Sequence, residues 1–278
     1  MMDLLPCSLK VSENMIRRLH TSDQTSLLTY VGQEPSINNF IIGDIEHFGF
    51  DVDFIFVYGE FNTENEYLSV LLFYRDSVIY YSHLERFNED WLDIFNQHKF
   101  KFISGKKRVL DLVYPHFSSF KKSEMYFAEA TSFVKPEKSS LYDIKLLTTR
   151  EDCNALFDLL EAIKEFAYVQ KAREDFINDK MTSLKMGETY LIEENNIVIA
   201  SVAATAETTL SAVVVAVATL PSMRNKGLAT ALMCKLMDQY INVKNKALCL
   251  FYDNPKAGNI YKRLGFKEMD MWVMLSKE

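Results

Sequence analysis

The run Val213–Tyr240, VVVAVATLPSMRNKGLATALMCKLMDQY, permits few folds. Strand alternation puts Val213, Val215 and Val217 on one face and Val214, Ala216 and Ala218 on the other. Both sets are apolar, and a strand that is apolar on both sides must be covered on both. Pro221 has no N–H to give to a ladder, so the strand ends near it. Arg224-Asn225-Lys226-Gly227 then forms a tight polar loop. From Leu228 the spacing turns helical, with Leu228, Leu232 and Leu236 in line and Ala229, Met233 and Met237 beside them.

A glycine where a strand passes into a helix has a chemical use. Without a Cβ, Gly227 lets a bulky anion approach the backbone. The first N–H groups of a helix have no internal partner, and the helix dipole favours negative charge there. The junction is thus suited to a phosphate, with Arg224 and Lys226 adding positive charge. The plainer reading is a basic surface turn ahead of a core helix.

The surrounding residues carry a resemblance. Arg224-x-x-Gly227-x-Ala229 follows Val217-x-Thr219-x-Pro221. Downstream come a strand Ala247–Tyr252, Asn254-x-x-Ala257-x-x-x-Tyr261, and the ending Tyr261-Lys262-Arg263-Leu264-Gly265-Phe266. This order resembles the GNAT superfamily of N-acetyltransferases, and most nearly its bacterial two-domain members with a catalytic-type C-terminal domain. The resemblance covers residues 142–278 well and the N-terminal half in outline. It implies an α/β (α+β) fold of two tandem units, each a mixed, mostly antiparallel twisted sheet flanked by helices.

The chain has 278 residues, 48% of them apolar, with 20 Phe, 14 Tyr and 9 Gly. That length suits two ordinary domains with well-filled cores. No apolar run is long enough to cross a bilayer, and the N-terminus lacks the features of a secretion signal. Cys7, Cys153, Cys234 and Cys249 are widely spaced, which reads as reduced thiols of a cytoplasmic protein. A net charge of −7 argues against a nucleic-acid partner and suits a cationic amine. All five histidines precede residue 117. A histidine base or a His-rich metal site within the C-terminal half is therefore not expected, and no metal is expected.

Along the chain, a strand at residues 15–20 leads to a helix near Ser22–Val31, capped by Thr21, and a second helix, Ile37–His47. Strands follow at Phe54–Tyr58, Tyr67–Tyr74 and Ser77–Tyr81, then a helix Asn88–Gln97, a strand Phe102–Ser104, a helix Lys106–Val113 and a strand Glu124–Phe133. This half resembles a GNAT unit without the glycine loop. It is expected as a degenerate domain over 1–136 that covers the substrate cleft or serves as a structural partner. The charged segment Lys135–Ser140 reads as a linker. A catalytic-type domain is expected over 141–278, opening with strand Tyr142–Leu146 and a helix with a capping-box-like Thr149-x-x-Asp152. The aromatics Phe54, Phe56, Tyr58, Tyr80 and Tyr81 line a cleft, a homodimer surface or the domain core.

The resemblance assigns roles. Arg224, Asn225, Lys226, Gly227, Leu228, Ala229 and Thr230 would hold the pyrophosphate of acetyl-CoA. The backbones of Val217, Ala218 and Thr219 would hold the pantetheine arm, with the Val217 N–H polarising the thioester carbonyl. Asn254 and Ala257 would flank the coenzyme arm, although Asn-Pro at 254–255 is equally apt as a turn. Tyr261 would protonate the leaving thiolate, since a phenol stays protonated at neutral pH. Many relatives carry a glutamate base on the core strand, and Leu210–Thr219 has no acid. Glu207 is the nearest substitute, followed by Glu161, Glu165 or a water relay.

The leading expectation is direct transfer of acetyl from acetyl-CoA to a primary amine of a small molecule, peptide or protein, in a ternary complex and without a covalent intermediate. The rival is an acyl-CoA-binding regulatory or interaction protein with little turnover, suggested by the missing strand acid. A third reading is an acyltransferase for longer chains.

Overall fold

The computed structural model describes residues 14–134, 142–169 and 172–277. The expected linker Lys135–Ser140 and Cys7 lie outside these. In chain order the first elements are β1 (Met15–Arg18), α1 (Gln24–Val31), α2 (Asn39–Phe48), β2 (Ile55–Phe61), β3 (Tyr67–Tyr74), β4 (Ser77–Tyr81), α3 (Trp91–Gln97), β5 (Phe102–Lys106), α4 (Lys107–Val113) and β6 (Lys121–Ala130). Then come β7 (Ile144–Leu146), α5 (Arg150–Glu161), α6 (Arg173–Ser183), β8 (Thr189–Glu194), β9 (Ile197–Thr205), β10 (Ser211–Thr219), α7 (Leu228–Met237), β11 (Ala247–Tyr252), α8 (Pro255–Arg263) and β12 (Lys267–Ser276).

These elements form two compact units, but not the consecutive halves 1–136 and 141–278 that composition suggests. One unit holds residues 1–30, 48–123 and 273–278, and the other holds 31–47 and 124–272. The division does not follow chain order. Tyr126–Ala130 of β6 pair antiparallel with β11 in the second unit. Val273 and Leu275 of β12 join the core of the first. Helix α2, encoded in the first half, belongs to the second unit through His47. A linker composition marks where a chain is exposed, not which strands it joins, so this division was not legible in the sequence.

Each unit is a twisted, mostly antiparallel sheet with helices on it. In the first, β1, β2, β3 and β4 pair antiparallel in order, and β5 adds parallel to β4 with α3 as the crossover. In the second, β7, β8, β9 and β10 pair antiparallel, and β11 adds parallel to β10 with α7 as the crossover. The two units thus share one order of pairing. The first packs Tyr58, Phe73, Tyr80, Trp91 and Phe95 into its core, which settles the aromatic-rich strands as interior. His20, not Thr21, is the N-cap of the turn that precedes α1, because the Asp23 carboxylate accepts from the His20 N–H at 3.0 Å.

Both faces of the second sheet are covered. Ala212, Val214, Leu248 and Leu250 pack under α7, with Leu228, Leu232, Met233 and Leu236 facing them. Leu156, Leu160 and Ile177 of α5 and α6 pack on Leu191, Val198 and Ala218 of the opposite face. Helix α5 starts where the sequence places it: the Thr149 hydroxyl accepts from the Asp152 N–H at 3.1 Å, and the Asp152 carboxylate accepts from the Thr149 N–H at 3.0 Å.

Burial alone would raise the Asp152 carboxyl. Lys145 Nζ at 2.5 Å and the N–H groups of Thr148 and Thr149, both at 3.0 Å, instead hold it at about 2. The folded value lies below the unfolded value of about 3.9. Its contribution is therefore complete above about pH 4 and disappears as pH falls towards about 2. We expect Asp152→Asn to lower unfolding free energy by about 2 kcal/mol at pH 7 and to flatten its pH dependence between about 4 and 2. Urea unfolding across that range measures both; an unchanged slope would refute the assignment.

Candidate active site

The central strand is interrupted where the chemistry would need it. β10 pairs with β11 only through Ser211, Ala212 and Val213, opposite Ala247, Leu248 and Cys249. Beyond Val213 the two strands part, although Leu250–Tyr252 of β11 remain paired with β6. On its other edge β10 carries a bulge: Val215 pairs with Ala203 and Ala218 with Ser201, so two residues stand against one. Ala216 takes φ 51°, a left-handed backbone that alanine adopts at a cost. The Ser201 hydroxyl donates to the Ala216 carbonyl at 3.0 Å.

The bulge corrects the expected faces of this strand. Strict alternation would put Val217 with Val213 and Val215. Instead Val217 packs with Ala212 and Val214 against α7, and Ala218 turns to the core under α5. One inserted residue reverses the facing of all that follow it. The parting of the strands leaves the β11-facing backbone groups of residues 214–219 without ladder partners, as pantetheine pairing would need.

The chain continues through a turn at Pro221–Met223 into the loop. Arg224 is extended, Asn225 has φ 64° and Gly227 has φ 83°. Left-handed residues thus stand on either side of Lys226, in a turn of the kind that anion-binding nests use. A Cβ built on Gly227 would meet nothing within 4 Å, so the space before the α7 terminus is open. Gly227 O accepts from the Ala231 N–H at 2.9 Å, the first bond of the helix. The N–H groups of Leu228, Ala229 and Thr230 precede that bond and have no intrahelical partner. Leu228 is buried under the sheet and anchors the loop.

The loop cations are placed by neighbours. Arg224 Nη2 is 3.1 Å from Glu165 Oε1, and its Nε donates to Thr219 O at 3.4 Å. The Lys226 carbonyl accepts from the Tyr142 hydroxyl at 2.6 Å. Asn254 takes the turn role that the sequence left open: its Oδ1 caps α8 by accepting from the Lys256 N–H at 3.0 Å, which leaves Nδ2 outside that cap. Ala257 packs on the same core as Val217 and Met223.

Tyr261 lies in that core too. Its ring is 5.6 Å from Tyr252 and 6.0 Å from Phe266. The residue is buried, and burial pushes its phenol up to about 12. The structure thus gathers Val217, the Gly227 loop, Ala257 and Tyr261 about the parted strands.

It does not gather Glu207 with them. Glu207 precedes β10, whose Ser211–Val217 span is about 20 Å at strand rise. Burial alone would raise its carboxyl. Bonds from Lys246 at 2.7 Å, Lys244 at 2.9 Å and the Tyr240 hydroxyl at 2.9 Å hold it below the ordinary value. A carboxylate satisfied by two ammonium groups and a phenol has little affinity for another proton, so the expectation of Glu207 as base is corrected. Glu207, Lys244 and Lys246 line a polar cavity of about 520 Å³ with Glu46, His47 and Lys185.

Among the described residues no group of three or more His, Cys, Asp or Glu side chains could hold a metal ion, and no helix is long and apolar enough to cross a membrane. Cys153, Cys234 and Cys249 are free. His47 belongs to the second unit with α2, although the C-terminal half of the sequence itself holds no histidine.

We expect Gly227→Ala to destabilise the protein by about 1 kcal/mol, because space is available and only the left-handed backbone resists. Thermal unfolding measures it, and a fall several times larger would mean that the loop is packed and not open.

Comparison with known proteins agrees with this architecture. Residues 153–266 match the model of the acetyltransferase (GNAT) family. No curated protein matches the chain. Among solved structures, a Drosophila protein aligns over 95% of this chain and 99% of its own at TM-score 0.66 and 12% identity. A GCN5-related N-acetyltransferase from Sphaerobacter thermophilus aligns over 95% of each chain at TM-score 0.60 and 14% identity. A tandem GNAT protein from the clavulanic acid biosynthesis pathway aligns over 95% of this chain and 98% of its own at TM-score 0.57 and 12% identity. These likenesses are of fold; the family match rests on the segment that contains the bulged strand, the glycine loop and α8. The likeness to the acetyltransferase (GNAT) family thus covers residues 153–266.

Proposed function

We propose that the protein transfers an acetyl group from acetyl-CoA to a primary amine, directly and in a ternary complex. The observation that carries this reading is the gap between β10 and β11 beyond Val213, with the Gly227 loop following β10 and Tyr261 in the same core as Val217. A coenzyme A arm suits the gap: an anion at the nest, an extended amide chain along the unpaired edge of β10, and a thioester beside the bulge.

Each residue has a task. The N–H groups of residues 227–230 hold the pyrophosphate, with Arg224, Asn225 and Lys226 nearby. The backbone of Val217, Ala218 and Thr219 fixes the pantetheine, and the Val217 N–H donates to the carbonyl oxygen as charge builds there, a contact worth about 3 kcal/mol. The amine nitrogen attacks the carbonyl carbon, the C–N bond forms and the C–S bond breaks. A free thiolate has a pKa near about 8.5. Tyr261 remains protonated throughout the neutral range and donates to the departing sulfur. No cysteine need be acylated: Cys153 and Cys249 are buried, and burial raises each thiol.

The acceptor is a small-molecule, peptide or protein amine. A cytoplasmic setting and the absence of a nucleic-acid partner remain part of this reading, supported by the net charge of −7 and the free thiols.

Calorimetric titration of acetyl-CoA into the wild type and Gly227→Asp is the first test. We expect micromolar binding, about −8 kcal/mol, that the variant abolishes by placing a carboxylate at the nest. No binding to the wild type would refute the proposal. In a Tyr261→Phe variant we expect binding unchanged and kcat reduced about 10²-fold or more; unchanged turnover would remove Tyr261 as the acid.

A further inference from the structure

We propose that Glu207, with Lys244 and Lys246, forms a positioning cluster that sets the width of the gap between β10 and β11. The inference rests on the acetyl-transfer reading above and gives Glu207 a task in it other than proton transfer.

The gap lies between two parts of one sheet. β10 stays paired with β9 as far as Thr219, and β11 stays paired with β6 as far as Tyr252. Among the described residues, backbone pairing between β10 and β11 is limited to Ser211, Ala212 and Val213 opposite Ala247, Leu248 and Cys249. These three pairs are the closed end of the gap. Val217, whose N–H is to meet the thioester carbonyl, lies about 13 Å beyond Val213 at strand rise, so a turn of about 5° at the closed end moves it by about 1 Å. A misplacement of about 1 Å between reacting groups costs on the order of 10²-fold in rate.

The ion cluster sits immediately ahead of both strands at that end. Lys246 precedes Ala247, the first paired residue of β11. Glu207 lies shortly before Ser211, and a tight turn joins them. Thr208 is buried, and its Oγ1 accepts from the N–H groups of Leu210 at 3.1 Å and Ser211 at 2.9 Å. The Thr208 N–H donates to Ser211 O at 2.8 Å. The Glu207 backbone is therefore tied to the start of β10. Its carboxylate accepts from Lys246 Nζ at 2.7 Å, Lys244 Nζ at 2.9 Å and the Tyr240 hydroxyl at 2.9 Å. Those three donors all come from the segment that leads into β11.

The crossover from β10 to β11 ends in a way that delivers them. Asp238–Val243 form a π-helical turn, and the Lys244 N–H reaches back to Gln239 O at 3.0 Å. Such turns are rare and often mark functional sites. Here Lys244 Nζ lies 4.2 Å from the centre of the Tyr240 ring, and both residues meet the one carboxylate. Lys244 also meets Glu188 Oε1 at 2.9 Å, so two carboxylates balance two ammonium groups. The side chains of Glu207, Lys244 and Lys246 are 17%, 24% and 19% exposed. Pairs this sheltered are screened little by salt. Without Glu207, Lys246 has no carboxylate among the described residues, and the start of β10 loses its side-chain tie to β11.

The test uses the full chain with acetyl-CoA as donor and spermidine, glucosamine and a glycyl tripeptide as acceptors. In Glu207→Gln, an isosteric change, we expect acetyl-CoA affinity within about threefold of wild type and kcat lower by about tenfold or more. Lys246→Met should lower kcat likewise, and the double variant should be no slower than the slower single one, because both remove the same tie. Asp152→Asn, which destabilises the same unit away from the closed end, should keep the wild-type kcat. Hydrogen exchange read by mass spectrometry should quicken about tenfold or more over residues 211–213 and 247–249 in Glu207→Gln and stay unchanged over 197–203. Should Glu207→Gln fail to fold, Tyr240→Phe removes one bond, leaves the charges in place and is read in the same two ways. If the wild type acetylates an amine and the variant keeps its kcat or its exchange at the closed end, Glu207 is not a positioning residue and the acetyl-transfer reading stands. If acetyl-CoA binds and none of the acceptors is acetylated, both fall together.

Discussion

The second unit is organised by the point at which β10 and β11 stop pairing. Three residues of parallel ladder hold the strands together, and then the bulge at Ala216 turns β10 away. The cost is several unmade backbone bonds and a left-handed alanine. Such groups are tolerated only where water or a ligand can satisfy them. The defect is supported from both sides: the Ser201 hydroxyl fixes the Ala216 carbonyl, and the cores under α7 and α5 hold Val217 and Ala218 on opposite faces. The opening is thus a fixed feature of the fold.

The same parting positions the rest of the site. β10 parts from β11 but stays paired with β9 to Thr219, and its end leads through Pro221–Gly227 to the N-terminus of α7, where the space before Gly227 is open. β11 stays paired with β6, and Tyr261 of α8 packs in the same core as Val217, against Tyr252 and Phe266. The Tyr261 phenol is buried, while residues 224–227 of the loop are exposed at the end of a helix.

Much of this was legible in the residues. The apolar run, Pro221, Gly227 and the helical spacing after Leu228 fixed strand, loop and helix, because each is a local preference of backbone or side chain. Thr149 and Asp152 marked the start of α5 for the same reason. The reversal at Ala216 was not legible: an alanine among valines satisfies strand periodicity, and only pairing with β9 shows the extra residue. Nor was the engagement of Glu207 visible, since Lys244 and Lys246 come nearly forty positions later. Asn254 had two readings, of which the structure shows the helix cap.

Sequence alone determined what depends on near neighbours in the chain: the order of elements, the glycine nest, the caps, and the chemical character of a phenol and an anion-binding turn. Tertiary structure decided what depends on distant partners. The assignment of residues 31–47 and 124–272 to one unit and of 273–278 to the other, and the parting of β10 from β11, follow from which surfaces fit together. A carboxylate at residue 44 is an ordinary helix residue in the sequence. It acquires its raised proton affinity only when folding buries it with no counter-ion among the described residues. Burial and proximity belong to the packed molecule, and local preferences do not specify them.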